Sequence, residues 1–588
     1  MSEPQGAHPP SRTATLLWRL LVRPLPKALV RAGARLLFSK SFRAFERAAA
    51  DPGATQRERL FDILQRNRDT AFGRAHGFSD IASVKDFQRR VPIRGYDELE
   101  PWIQRAVRGE AYVLTTEPVI FFGRTSGTTG AAKYIPVTAS YVEEFRRGRR
   151  VWARQVAQAF PGLVRGSLLT VHSPRIEGRT DSGIPYGSIT VAMGDSDVAA
   201  TGRRKLFSGL ESIPREVFFV EDFEARYYLL LRLAVGVPVS LMAAVNPSTL
   251  LLLCRKLTEL APALIPECRD GTLRTDLGIS SDLVRSVRSC LRPRPEVAER
   301  LERSLSTHGR VRPVDVWPEL CGLLCWTGGA APFFLRQFPD WFEALPVMDY
   351  GYAATEGNFS VVMEPGTGGG VISLLGHFLE FVPESERESR DPIALTAQEL
   401  EPGKRYFVLV TAGNGLCRYD MNDVVEVSGR YRSTPVIRFC HKGQNVTSIT
   451  GEKLSESQMI EAVTRAQADS GVSLLGFSAT VHLEGEMPRY LIAVEPSRPQ
   501  PDAALRALAR ACDRRLMDAN IEYRAKRESA RLGLPLLALV RPGAFDELRR
   551  ERVAAGAPDA HVKLPHLTPD PALIQRLGLE RVLEGDAG

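Results

Sequence analysis

The chain has 588 residues, 44% hydrophobic and 25% charged, the balance of a globular protein and too long for one ordinary domain. The net charge of +8 is carried almost wholly by residues 1–50, with nine Lys/Arg against two Glu, so the rest is near neutral and gives no reason to propose nucleic-acid binding. Eight scattered cysteines make no disulfide framework, Cys321 and Cys325 read as core thiols, no His-x3-His pair suggests a metal site, and a reduced, cytoplasmic compartment is expected.

The basic segment has Arg19, Arg23, Lys27, Arg31 and Arg35 at four-residue spacing among leucines. No apolar stretch approaches the roughly 20 residues that span a bilayer, and the charges recur too often for a signal peptide. Two readings follow. A helix interrupted at Pro24 and Pro26 docks on the protein body, or a basic face within residues 12–47 makes weak contact with an anionic membrane surface. Residues 40–110 have helical periodicity, with Phe42, Phe45, Ala48, Leu60, Ile63 and Leu64 at steps of three and four.

Next comes Thr125-Ser126-Gly127-Thr128-Thr129-Gly130-Ala131-Ala132-Lys133, flanked by the apolar runs Val119–Phe122 and Tyr134–Val137. Glycines let backbone N–H groups turn around an anion, hydroxyls add donors and the lysine adds charge, which together suit a triphosphate. The flanks predict a loop joining two strands. The spacing is neither a Walker A loop nor a dinucleotide-binding turn. A functionless Ser/Thr/Gly surface turn is the ordinary alternative. Ser140 and Glu143 then predict a capping box, and Arg146–Arg150 a solvated helix face.

Residues 165–200 are Gly/Ser-rich, with Ser173-Pro174 and Gly183-Ile184-Pro185-Tyr186-Gly187-Ser188. A strand at Val239–Val245 ends at Asn246-Pro247-Ser248, and strands alternate with helices to about residue 360, an α/β pattern. Pro383–Asp391 reads as an exposed loop. Tyr406–Val410, Leu416–Tyr419, Val424–Val427 and Val436–Phe439 read as a β-meander. Beyond Gly443, strands at Leu474–His482, Tyr490–Val494 and Leu536–Val540 and helices at Asp502–Met517 and Ala544–Val553 make an α+β unit.

Three further segments carry polar groups. Tyr350-Gly351-Tyr352-Ala353-Ala354-Thr355-Glu356-Gly357 puts aromatics, a hydroxyl and a carboxylate at a strand-to-turn edge. Arg418-Tyr419-Asp420-Met421-Asn422-Asp423 puts a carboxylate at a meander turn, where it can accept both ribose hydroxyls. His561-Val562-Lys563-Leu564-Pro565 lies near the C-terminus. Singly, each has an ordinary reading: packed rings, an Asp capping its own turn, a solvated Lys.

Taken in order, Thr-Ser-Gly-Thr-Thr-Gly-x-x-Lys, Tyr-x-x-Thr-Glu and Arg-Tyr-Asp-x-x-Asp resemble the adenylate-forming superfamily. More closely, the chain resembles the auxin-responsive Gretchen Hagen family of acyl acid–amido synthetases and its bacterial relatives. That narrower likeness rests on Ser173-Pro174, Gly183–Ser188, Asn246-Pro247-Ser248, Cys325-Trp326-Thr327-Gly328-Gly329, Gly376–Pro383, Gly451–Glu456 and Gly556-Ala557-Pro558, and runs from about residue 40 to 570.

The resemblance implies a large N-terminal α/β domain with a β-meander or barrel subdomain, plus a smaller mobile C-terminal α+β domain. The expected limits are a basic segment 1–40, a domain 41–440 binding ATP and acyl acid, and a small domain 441–588. It implies activation of a carboxylic acid by ATP and transfer of the acyl group to an amine, with Mg2+ as the metal. Residues Thr125–Gly130 and Lys133 would hold phosphates, Glu356 would ligate Mg2+, and Asp423 would bind the ribose. Tyr352 and Thr355 would adjoin the nucleotide. Ser173, Tyr186, Trp326, Gly328 and Gly329 would line the substrate pocket. Lys563 would stabilise charge during adenylation from a domain that swings about Phe439–Gln444. His441, Lys442 and Cys417 depart from the family's usual residues. A thioester-forming relative and an inactive nucleotide- or acyl-binding scaffold are the rival readings.

Overall fold

Capping chemistry sets where the early helices start. Asp51 accepts the Ala54 N–H and Pro52 opens the helix Pro52–Asn67, which buries Leu60, Ile63 and Leu64. A computed structural model of the chain describes residues 21–125, 133–171, 176–189, 213–274, 276–328, 331–387, 389, 391–443, 446–447, 449, 452, 454–484, 487–528, 532–554, 564–568 and 570–583. They divide into two units, Met1–Met421 with Glu426–Arg438 and Asn422–Val425 with Phe439–Gly588. Among the described residues no helix is long and apolar enough to cross a membrane.

The basic helix Lys27–Leu37 docks on the first unit. Arg31 Nε donates to the Gln158 carbonyl and Arg35 Nε to Gln158 Oε1, both at 3.0 Å, while Gln158 Nε2 returns a bond to the Arg31 carbonyl at 2.8 Å. Of its eleven residues only Ala34 is buried.

The strands flanking the glycine-rich loop form as expected. β1 (Phe121–Thr125) and β2 (Lys133–Val137) pair antiparallel, with Thr125 opposite Lys133 at the loop end. β4 (Gly178–Arg179) and β5 (Pro185–Gly187) extend this sheet, β5 running parallel to β1. The helix Ala139–Ala159 follows. Its cap differs from expectation: the extended Thr138 accepts the Tyr141 N–H at 3.2 Å, while Ser140 bonds to Glu117. The expected solvated arginine face also needs correction. Arg150 pairs with Glu143, but Arg147 donates to the Leu375 carbonyl at 2.7 Å and Arg149 lies against Trp152 and Tyr350.

A second sheet is fully parallel, in the order β3 (Ser167–Thr170), β6 (Val239–Ala243), β7 (Gly322–Leu324) and β8 (Val347–Met348). The helices Phe223–Val235 and Pro247–Asp270 bury leucines against it, which explains why these strands and helices read as near-continuous apolar runs. The meander forms part of a seven-stranded sheet in which Thr434–Lys442, Tyr419–Tyr431, Arg405–Thr411 and Phe378–Pro383 are neighbours. Two expected strands, 416–419 and 424–427, fall within or beside one strand, Tyr419–Tyr431. The intervening Asn422 takes φ 53° within the strand without turning the chain.

The second unit has a five-stranded sheet, ordered Leu567–Thr568, Leu474–His482, Arg489–Pro496, Leu536–Val540 and Leu579–Leu583. The helices Glu456–Ser470 and Asp502–Ala519 pack together beside it. Leu474–His482 and Leu536–Val540 have the expected bounds.

Candidate active site

The four parallel strands end at one edge, and the chains leaving β7 and β8 carry polar residues there. In open α/β sheets this carboxyl edge is where ligands bind. After β7, the Trp326 N–H bonds to the Val245 carbonyl at 3.0 Å, and its indole Nε1 to the Gly351 carbonyl at 3.1 Å. After β8, the Asp349 carboxylate accepts the Thr327 N–H and the Gly351 N–H, both at 2.7 Å, and the Thr327 hydroxyl. Asp349 therefore fastens the turn that carries Trp326 and Gly328 to the turn that carries Tyr352. Burial pushes its carboxyl up, and the three donors oppose that.

The segment after Tyr352 folds into a short hairpin, Ala353–Ala354 with Gly357–Asn358, whose turn is Thr355-Glu356. This turn sits on the β1–β2 hairpin. A Cβ on Gly123 of β1 would lie 2.4 Å from Thr355 Cγ2, so only glycine allows the approach. The Tyr141 hydroxyl donates to the Thr355 carbonyl at 2.6 Å. Burial foremost, then the charges of Glu356 and Glu144, hold the Tyr141 phenol well above its ordinary range, so it stays a donor.

Behind the turn lies a buried polar cluster. Glu144 accepts from Arg59, from Arg66 at 2.8 Å and from the Gly413 N–H at 3.2 Å. His377 is fully buried, and its Nε2 faces the Asn358 N–H at 3.4 Å. Burial lowers its pKa to about 4, outweighing the opposing effect of Glu144, and the ring is neutral.

The predicted residues distribute as follows. Thr125 and Lys133 face each other across the hairpin, and Lys133 Nζ lies 5.0 Å from the Tyr96 ring centre. Tyr186 pairs with Phe122, and its ring packs edge-on against Tyr134 at 5.4 Å. Tyr352 is buried, with its ring 4.9 Å from Phe359 and its hydroxyl 3.6 Å from the Met421 sulfur. Thr355, Trp326 and Gly328 belong to the edge just described, together with Glu356. Asp423 is buried on the Tyr419–Tyr431 strand and groups with the second unit. Ser126, Gly127, Thr128, Thr129, Gly130, Ser173, Gly329 and Lys563 lie outside the described residues. Just downstream of Lys563 the backbone is anchored within its unit: Ser478 Oγ donates to the Pro565 carbonyl at 2.6 Å, and the His566 ring stacks on Phe477 at 4.4 Å.

Three family models match the chain in succession: the GH3 family N-terminal domain over residues 41–347, the GH3 family central domain over 370–442 and the GH3 family C-terminal domain over 457–572. The chain belongs to the GH3 family. It is 25% identical to the jasmonoyl–L-amino acid synthetase JAR6 of Nicotiana attenuata over 90% of this chain and 93% of that protein. It is 24% identical to the indole-3-acetic acid-amido synthetase GH3.3 of Arabidopsis thaliana over 90% and 91%. The solved structure of the GH3.15 acyl acid amido synthetase has a TM-score of 0.80 at 21% identity, over 92% of this chain and 95% of that one. The expected adenylate-forming fold and the expected family are thereby borne out.

Several residues of this GH3 chain escaped the sequence reading. Tyr96, whose hydroxyl accepts the Tyr134 N–H at 2.8 Å, lies far upstream among helices. Tyr141 and Arg149 sit in a helix that looks like any amphipathic helix. Asp349 gave one usable signal: a carboxylate directly after the apolar Val347-Met348 is oddly placed for a strand end without partners.

Proposed function

We propose that this chain is an ATP-dependent acyl acid–amido synthetase. A carboxylate oxygen of the acid attacks the α-phosphorus of ATP, the bond to the bridging oxygen breaks and pyrophosphate leaves. The nitrogen of an amine, typically an amino acid, then attacks the acyl carbon, AMP leaves and the nitrogen loses a proton. The observation that carries the reading is the seating of the Thr355-Glu356 turn on Gly123, which joins the phosphate-loop hairpin to the carboxyl edge of the parallel sheet in a GH3 chain. Its named relatives act on jasmonate and on indole-3-acetate, which supports amide formation and leaves the acid itself to experiment.

The residue roles follow from their chemistry. Donors of Thr125–Gly130 with Lys133 hold the β- and γ-phosphates. Asp423 holds the ribose, Tyr352 and the turn Trp326–Gly329 border the nucleotide and acid, and Ser173 and Tyr186 contact substrate. Lys563, a mobile point charge, meets the α-phosphate during adenylation. Residues 441–588 act as the small domain that brings it there and withdraws it for the second step. Glu356 fits Mg2+: it is a half-buried carboxylate beside the hairpin, and this ion takes one or two carboxylates while phosphate oxygens and water fill its other places. The ion would offset phosphate charge.

The test is acid-dependent exchange of pyrophosphate into ATP over a panel of carboxylic acids, followed by product analysis with amino acids or coenzyme A. Amide and AMP are expected with amino acids. A thioester with no amide would overturn the proposal. The setting is the cytoplasm. The exposed Leu29 (55%) and Leu36 (79%) beside Lys27 and Arg35 form a face for weak contact with an anionic bilayer. Equal sedimentation with anionic vesicles after Leu29→Ser/Leu36→Ser would remove that contact.

A further inference from the structure

Among the described residues Arg149 is a cation without a counter-ion. Other arginines of the first unit are paired with acids: Arg150 with Glu143, and Arg59 and Arg66 with Glu144. Arg149 has no carboxylate partner among the described residues. Its one hydrogen bond is a long one, from Nη1 to the Tyr350 carbonyl at 3.4 Å. Its guanidinium carbon stands 4.6 Å from the Trp152 ring centre and 5.1 Å from that of Tyr350, and these two rings stack at 5.1 Å. Asp349, next to Tyr350, already accepts three protein donors.

The group is also enclosed. Desolvation is the leading influence on Arg149 and lowers its pKa, as it raises that of the Tyr350 phenol. Yet both residues keep some accessible surface. A side chain that is largely enclosed yet keeps accessible surface stands where a ligand can reach it. Taking a cation from water without a paired anion is unfavourable, and the aromatic faces offset only part of that. A ligand carboxylate would complete the pairing, because the guanidinium fork matches its two oxygens.

Position gives the subsite its meaning. Tyr141, whose hydroxyl holds the Thr355 carbonyl, precedes Arg149 by eight residues on the same helix, roughly 12 Å along its axis. The acid's reacting carboxylate belongs at the Thr355-Glu356 end. We infer that Arg149 is the distal anion subsite of the acyl pocket, and that the acid this enzyme takes is dianionic, with a second carboxylate at the end remote from the one activated. The inference rests on the amido synthetase reading.

The experiment uses the full chain and matched acids, octanoate with octanedioate and 4-methylbenzoate with terephthalate, in ATP–pyrophosphate exchange. The diacid is expected to win in kcat/KM in at least one pair. Arg149→Met should collapse that diacid-to-monoacid ratio roughly 10- to 100-fold, mainly through KM, and Arg149→Lys should restore part of it. Should Arg149→Met fold poorly, melting of the wild-type protein decides instead: octanedioate should raise the midpoint more than octanoate. Monoacid preference in both pairs, or a ratio unmoved by Arg149→Met, overturns the inference and leaves the synthetase reading intact. The amino acid's own carboxylate is the other possible occupant. Loss confined to amide formation, with exchange preserved, assigns Arg149 to it and overturns the inference too. Exchange with no acid at all overturns the synthetase reading and this inference together.

Discussion

Replacing Gly123 by alanine tests the joint between the β1–β2 hairpin and the Thr355-Glu356 turn. The new Cβ would stand 2.4 Å from Thr355 Cγ2, about 1 Å short of ordinary contact. The β1 backbone is held by five residue pairs with β2, so the turn has to give way. Overpacking of this kind costs about 1–3 kcal/mol of stability. Activity should suffer more, because a displacement near 1 Å at the turn proposed to hold Mg2+ lowers rates by about 100-fold. The assay is ATP–pyrophosphate exchange with any acid that supports it, alongside urea unfolding. Thr355→Ser removes only the offending methyl and keeps the hydroxyl, so Gly123→Ala/Thr355→Ser should recover most of the loss in a double-mutant cycle. Wild-type exchange by Gly123→Ala, or a double variant no better than the single one, would refute the reasoning.

Other perturbations have equally definite outcomes. Tyr141→Phe leaves the Thr355 carbonyl without its donor and should cost about 1–3 kcal/mol in urea unfolding, with a fall in exchange; unchanged values in both would remove the role given to this bond. Asp349→Asn keeps the shape but turns an acceptor into a donor facing the Thr327 or Gly351 N–H. A loss of about 2 kcal/mol and slower exchange are expected, and a silent substitution would show that the clamp is dispensable. For His377, the unfolded chain binds a proton near the ordinary 6.5, whereas the folded ring does so only near 4. Stability should therefore decline as pH falls from 6.5 to 4 and level off after a loss of about 3 kcal/mol. His377→Asn should flatten that decline, and an identical pH dependence would contradict the buried neutral ring.

The parallel strands and the meander were legible because each signal was local: apolar runs bounded by Gly, Pro and Asn, or alternation with period two. The hairpin around the glycine-rich loop was legible because apolar runs flank Thr125–Lys133 on both sides, and they form the strands Phe121–Thr125 and Lys133–Val137. What escaped depends on tertiary placement. Ser140 had the right spacing for a cap, but Glu117, far upstream, captures it, and Thr138 caps the helix. Arg149 looked like one more surface charge because periodicity ignores what a neighbouring strand brings alongside. Asn422 reads as a turn residue, yet hydrogen bonding on both sides carries the strand through it. Gly123 gave no signal of its own, since its reason lies on Thr355, more than 200 positions away.

The helix Ala139–Ala159 has a consequence for descent. One continuous rod presents Tyr141 to the Thr355-Glu356 turn and, about two turns on, sets Arg149 and Trp152 beside Tyr350. Residues on such a rod hold fixed spacing, but they need not share neighbours. On the proposed reading, a lineage that exchanges the side chain at 149 acquires a different acid while the chemistry of activation is inherited intact.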